Sequence, residues 1–302
     1  MADTQQKVTV VVPVRDDAER LHKVLECLAR QDYPLELLET IVVDSASDPP
    51  MRVSPPETLC VRTIRLDESG SYRARNAALA VSTSPVLAFT DADCLPDATW
   101  LTAAVRALGA SADVVGGPIQ VFARNPEHPH PAEAWEVVHG FPQHRYVRDG
   151  WAATANMVTT REVFDRVGYF DERLASGGDA EWGRRATAAG NRVVFVADAV
   201  VRHPARANFR ELRTKLRRVH CGALERDIDA SSVRWWRGLA PGLVPPLGSV
   251  VRGWQDPRFP RIRAKMSYSL GEFYVRYVGT ALRTRLNYER ARVSGRDDRT
   301  PA

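Results

Sequence analysis

An α/β fold is predicted for the first two thirds of the chain, with a mostly parallel sheet covered by helices on both faces and a helical carboxy-terminal extension behind it. Three observations predict it. β-branched runs alternate with amphipathic stretches up to about residue 201; the residues just after the strands are polar; and the charge changes sign near residue 205. Strand–helix alternation places crossover helices on both faces of a sheet, which is the parallel arrangement.

Residues 7–14 form a short β-branched run that reads as a buried strand, and residues 17–31 follow with Leu21, Val24, Leu25 and Leu28 at helical spacing. The pattern recurs, with strands at 38–43, 59–66 and 86–90 and helices near 71–81 and 97–108. Residues 116–133 read as irregular, broken by Pro126, Pro129 and Pro131, and the loop reading outweighs a metal reading for His128 and His130. Order resumes with a strand at 152–159, helices at 161–167 and 179–189, and one or two strands across 192–201. The predicted domains are 1–205 for the α/β part and 206–302 for the extension, with a disordered tail from about 293.

Composition narrows the function classes. The chain has 302 residues, 44% hydrophobic and 26% charged, enough for a sizeable core. The uncharged stretch at 238–251 is too short to span a bilayer and is broken by Pro241, Pro245 and Pro246. The amino terminus has no basic region ahead of its apolar run, so no secretory signal is expected. Cys27, Cys60, Cys94 and Cys221 lie far apart, which suits a reducing cytosol rather than a disulfide framework. Arginine outnumbers lysine 38 to 4, a coding bias that points to a bacterial source. Residues 1–204 carry 21 basic and 28 acidic side chains; residues 205–302 carry 21 basic and 9 acidic. A basic extension attracts phosphate, whether on a membrane, a nucleic acid or a diphosphate.

In open α/β sheets ligands bind beyond the carboxyl ends of the strands. Arg15 follows the first strand, Asp44 and Ser45 the second, and Asp91 and Asp93 the fourth. Two carboxylates two residues apart in extended backbone point to one side and invite a hard divalent cation; the competing reading is that Asp93 or Asp97 caps the next helix. Gly177 and Gly178 precede Asp179, Glu181 and Trp182, where backbone could approach a ligand and acids open a helix. The same segment fits a capping box from Ser176 to Asp179, with Trp182 in a core stripe. His203 ends the last strand and could complete a carboxylate metal site.

Eight strings in order resemble the family 2 glycosyltransferases of the Rossmann-like GT-A fold: VVVPVR at 10–15, IVVDSAS at 41–47, GSYRARNAAL at 70–79, AFTDADCLP at 88–96, ANM at 155–157, VGYFDE at 167–172, GGDAEWGRR at 177–185 and VVRHP at 200–204. The resemblance implies an inverting transfer of sugar from a nucleoside-diphosphate sugar to an acceptor hydroxyl, dependent on Mn²⁺ or Mg²⁺, in polysaccharide or glycolipid synthesis. It assigns Asp44 and Ser45 to the nucleoside pocket, backbone of Pro13, Val14 and Arg15 to its lining, and Arg75 to its support. Asp91 and Ala92 would lie near ribose and diphosphate, Asp93, His203 and Asp91 would serve the cation, and Asp179 would be the general base. Trp182, Glu181 and Asn156 would face the acceptor. Many relatives carry a second acid or an Asn where Ser45 stands, which leaves the nucleobase open.

The implied partners are a nucleotide sugar and an acceptor sugar, glycolipid or other hydroxyl compound; no nucleic acid is expected. The rival readings are a nucleotidyltransferase of related fold and a non-catalytic anion-binding or membrane-binding module. Residues 208–226 read as an amphipathic helix carrying Arg206, Arg210, Arg213 and Arg217 on or beside its polar side. Such a helix packs on the catalytic domain or turns its arginines to the diphosphate or to an anionic membrane; Trp235, Trp236, Trp254 and the aromatic and arginine mixture at 262–292 suit a lipid headgroup interface, so a cytoplasmic enzyme, peripheral to the inner face under the membrane reading, is expected.

Overall fold

The computed structural model describes residues 6–226 and 242–297. The chain divides into two compact units, Met1–Gln120 with Phe141–His203, and Val121–Gly140 with Pro204–Ala302. The sequence expectation of one cut near residue 205 is therefore corrected, because the proline-rich stretch read as a loop supplies an element to the second unit.

The first unit holds a seven-stranded sheet in the order β3-β2-β1-β4-β8-β6-β9. β1 (Val8–Val14) lies between β2 (Leu38–Ser45) and β4 (Val86–Phe89), parallel to both, and β3 (Cys60–Leu66) runs parallel outside β2. β8 (Met157–Thr160) is antiparallel to β4 and to β6 (Val114–Gly116), and β9 (Val193–Phe195) is parallel to β6. Side chains alternate across the sheet with the period of two that a strand imposes. Val8, Val10, Val12, Val86 and Ala88 enter one core with α1 (Ala18–Leu28) and α3 (Trp100–Ala107). Val11, Leu87 and Phe89 enter the other with α2 (Ser71–Val81), α6 (Arg161–Val167) and α7 (Gly178–Ala188). Two short strands, β5 (Leu95–Pro96) and β10 (Val201–Pro204), pair antiparallel and hold the end of β10 beside the turn that follows β4.

The strand expected at 152–159 is shorter than predicted, because Thr154–Asn156 forms a 3-10 turn. The Gln143 side chain in α5 (Gln143–Arg148) holds that turn, donating to the Asn156 carbonyl at 2.8 Å and accepting from the Ala153 N–H at 3.0 Å.

In the second unit, α4 (Pro131–His139) packs with α8 (Phe209–Arg226) and a long helix, α10 (Ile262–Asp297); a short helix, α9 (Leu247–Trp254), packs on α10. The segment read as irregular contains β7 (Ile119–Phe122) and the start of α4. His130 caps α4 through Nδ1, Glu133 completes the capping box, and Pro131 occupies the first turn, where a missing N–H costs nothing. Proline there marks a helix start. Glu136, 1% exposed, accepts from Arg206 and Lys215, so α4 and α8 share a buried ion triad. α10 runs to Asp297, beyond the point where a tail was expected. Trp235, Trp236 and residues 298–302 lie outside the described residues. No helix among the described residues is long and apolar enough to cross a membrane.

Candidate active site

The parallel strands deliver their polar residues to one edge of the first unit. Asp44 sits at the end of β2, opposite Val14 on one side and Arg65 on the other. Its carboxylate is almost wholly buried and accepts from the Ser47 N–H at 2.9 Å, the Met51 N–H at 3.1 Å and Arg65 Nη1 at 2.7 Å. Burial raises its pKa, but these hydrogen bonds outweigh that and hold the carboxyl below its ordinary value. Asp44 thereby shapes the loop after β2, and its oxygens are engaged with protein. That loop is tied to the loop after β1, where Arg15 is exposed: the Asp16 N–H donates to Ser47 Oγ and the Asp48 N–H to Asp16 Oδ1, both at 2.9 Å. Asp16 and Ala46 hold left-handed backbone at φ 53° and 60° to make these turns. Ser45 Oγ accepts from the Gly70 N–H at 3.0 Å and sets the start of α2.

Asp91, Ala92 and Asp93 lie in a turn closed by the Cys94 N–H on the Asp91 carbonyl, not in extended backbone. The carboxylates therefore diverge. Asp91 pairs with Arg75 Nη2 at 2.5 Å, whereas Asp93 Oδ2 lies 3.4 Å from His203 Nε2. Adjacent donors on an octahedral ion with bonds of about 2.1 Å sit about 3.0 Å apart, so Asp93 and His203 fit a common divalent ion. Cys94 Sγ completes a group whose donor atoms all lie within 4.8 Å of one another. Burial, with Asp91 and Asp93 adding to it, pushes the Cys94 thiol well up, and sulfur is a soft donor where a hard ion favours oxygen. Asp91 does not join that group, and its Oδ1 is engaged by the Arg75 guanidinium.

Asp97 does not cap α3: it accepts from Arg202 Nε at 2.8 Å, and no side chain caps that helix at Thr99. Nor does Ser176 begin a capping box, because Gly177, at φ 79°, is the residue before α7 and makes no side-chain cap. Asp179 is half-buried. Its Oδ1 accepts from Tyr72 Oη at 3.3 Å and from the Ala180 N–H at 2.9 Å, and the Thr154 N–H also donates to it. Desolvation pushes its carboxyl above the ordinary aspartate value, against those hydrogen bonds and the nearby charge of Arg75. Tyr72 stays a phenol, its pKa raised by burial and by Asp179, and the Tyr146 phenol is pushed up to about 12 by the same two causes. Arg75 is 3% exposed with its guanidinium carbon 5.7 Å from the centre of the Tyr72 ring, and it links the Asp91 and Asp179 regions electrostatically.

Two acceptor-side expectations are corrected by burial. Trp182 is 0% exposed, stacks on Phe164 with centroids 4.5 Å apart and donates Nε1 to the Gly168 carbonyl. Asn156 is buried and joins three segments, accepting from Trp100 Nε1 at 2.8 Å and donating to the carbonyls of Pro118 and Ala199. Glu181 pairs with Arg185 along α7. The residues that sequence reasoning missed are Tyr72, Arg65, Thr154 and Tyr146. Arg65 had a usable signal, since it ends the strand next to Asp44; the others reach the site only through the crossing of elements distant in the chain.

Residues 9–170 match the family profile described as glycosyl transferase family 2. The glycosyltransferase AglE of Haloferax volcanii is 32% identical over 235 residues, covering 74% of this chain and 75% of the relative. Among solved structures, the mannosyltransferase PcManGT of Pyrobaculum calidifontis, in complex with GDP-Man and Mn²⁺, aligns with a TM-score of 0.56 at 18% identity, over 93% of this chain and 74% of that one. Residues 1–349 of S. aureus TarS, in complex with UDP-GlcNAc, align with a TM-score of 0.52 at 16% identity, over 98% of this chain and 93% of that one. These two structures share its fold, which is GT-A. With more than half of its residues inside the family profile, this chain belongs to glycosyl transferase family 2 and is a glycosyltransferase.

Proposed function

We propose that the enzyme moves a sugar from a nucleoside-diphosphate sugar to an acceptor hydroxyl in one displacement, inverting the anomeric centre, with Asp179 as general base and Asp93 and His203 as the protein ligands of a divalent cation. The donor class is supported by the nucleotide sugars held by PcManGT and TarS. The observation that carries the base assignment is the half-buried Asp179 carboxyl, raised by desolvation and held by Tyr72, Thr154 and Ala180. A base is most effective when its pKa approaches the working pH, and burial moves Asp179 that way.

A cation bound at Asp93 and His203 would offset the charge that gathers on the diphosphate as the sugar leaves. Asp179 takes the acceptor's hydroxyl proton while the acceptor oxygen bonds to the anomeric carbon and the bond from that carbon to phosphate oxygen breaks. Attack opposite the leaving group inverts the configuration. Asp44 and Arg65 hold the loops after β1 and β2 where a nucleoside would lie, so their contribution is positioning rather than proton transfer.

Two variants separate the roles. Asp179→Asn is expected to keep Mn²⁺-dependent nucleoside-diphosphate binding in a thermal-shift titration and to lose transfer. Asp93→Ala is expected to lose the Mn²⁺-dependent part of that binding. Transfer at wild-type rate by Asp179→Asn would remove the base assignment, and unaltered metal dependence in Asp93→Ala would remove the cation site.

A further inference from the structure

Among its described residues, the second unit carries exposed apolar side chains in two stripes. Leu247, Val251 and Trp254 recur at helical spacing on α9, Leu243 and Val244 precede it, and Ile262, Met266 and Leu270 recur every fourth residue on α10. All eight are between 42% and 67% exposed. These are not loose core residues, because both helices have a separate buried face. Gly253 of α9 lies so close against the Tyr268 ring that a Cβ has no room there, and Ala264, Tyr268, Gly271 and Glu272 of α10 are buried. At about 100° per residue those buried positions lie on the opposite side of α10 from Ile262, Met266 and Leu270. The two exposed stripes are joined, since Trp254 Nε1 donates to Ser269 Oγ at 2.9 Å and Ser269 falls on the exposed side of α10.

Charge selects the occupant. Residues 243–270 hold five basic side chains, Arg252, Arg258, Arg261, Arg263 and Lys265, against one acid, Asp256. On α10, Lys265 borders the stripe on one side and Arg263 on the other; Arg261, just before the helix, pairs at the surface with Glu127, and Asp256 pairs with Arg258. A second copy docking on this face would bring like charges together. An anionic lipid surface answers both features at once, with acyl chains receiving the apolar stripe and headgroups the basic edges and the Trp254 indole. We infer that α9 and the first turns of α10 form an interfacial membrane anchor for anionic lipid. The sequence pointed to arginines of 208–226, to Trp254 and to the mixture at 262–292; the inference narrows that contact to this apolar face.

The test uses the full chain, without donor or acceptor, in flotation with phosphatidylcholine vesicles with and without phosphatidylglycerol. Binding is expected on the anionic vesicles, weakening with salt. V251E and M266E change exposed positions, so melting temperature should hold while vesicle affinity falls by about tenfold or more. Failure of the wild-type chain to float, or equal flotation of both variants, overturns the inference. So does light scattering that shows a wild-type dimer converted to monomer by these variants, which would give the face to a second copy. Sugar transfer enters none of these measurements, so their failure leaves the proposed reaction standing.

Discussion

Gly178→Ala tests whether the Tyr72–Asp179 geometry controls transfer. A Cβ built on Gly178 would lie 2.8 Å from Cε2 of Tyr72 and 2.9 Å from Cδ2 and Cζ. Carbon contacts settle at about 3.5–4.0 Å, so the methyl is too close by roughly 0.7–1 Å. The ring has little room to yield: Tyr72 is 5% exposed, lies 5.7 Å from the Phe170 ring, and holds Asp179 through its hydroxyl. Relief must come from Tyr72 or from the backbone that carries Asp179, and either movement breaks a hydrogen bond already at 3.3 Å. Overpacking of this kind costs about 1–3 kcal/mol of stability. Misplacing a reacting group by about 1 Å costs about 100-fold in rate. In a steady-state assay of nucleoside-diphosphate release, kcat should fall by about that factor while the proposed Mn²⁺-dependent nucleotide binding persists, because the proposed ligands Asp93 and His203 stand on other elements. A variant with kcat within about twofold of wild type and an unchanged melt would refute the reasoning, since contacts this short could then relax without moving the proposed base.

Tyr72→Phe removes a donor that favours charged Asp179, so a carboxyl already raised by burial should take its proton at still higher pH. The acid limb of the kcat profile should move up, and a limb that stays in place would separate Tyr72 from the base. In the second unit, Glu136→Ala leaves Arg206 and Lys215 facing each other without their acid. Loss of one member of a buried pair costs about 3–5 kcal/mol, read as a lower urea midpoint. Burial already lowers Lys215 to about 8, and Glu136 is what raises it. Without that acid the lysine sheds its proton more readily, and because the unfolded lysine keeps its proton, stability recovers with rising pH. The loss should be smaller at about pH 9 than at about pH 6; equal losses would show that Lys215 charge is not the cause.

The parallel half of the sheet was legible because burial on both faces writes central strands as short apolar runs, as in 10–14 and 41–43, and helices as periodic ones, as in 18–28. The edge carrying Asp44, Asp91 and Asp93 followed from that topology. Where local pattern and long-range packing compete, the sequence misled. Proline at 129 and 131 signals a loop, yet Pro131 opens α4 because His130 and Glu133 cap it. Asp91 and Asp93 look like a matched pair at a strand end, yet a turn sends one to Arg75 and the other to His203. The helix-cap readings of Asp97 and Asp179 failed because each carboxylate is engaged by a residue remote in the chain, Arg202 and Tyr72. Spacing along one segment carries no trace of such partners.

Arg75 meets two acids of the first unit in different ways. Its Nη1 donates to the Ser71 carbonyl at 3.1 Å and its Nη2 to Asp91, while its Nε is buried without a hydrogen-bond partner. A buried cation left partly unsatisfied is costly unless acids share its charge. Asp91 takes the direct contact, and Asp179 receives only the longer-range field, too weak to cancel the desolvation that raises it. A guanidinium bonded directly to Asp179 would hold that carboxylate ionised and make it a poor proton acceptor. With Asp91 as the counter-ion instead, Asp179 keeps a neutral phenol and backbone N–H groups as its partners, which orient the carboxylate and leave it basic.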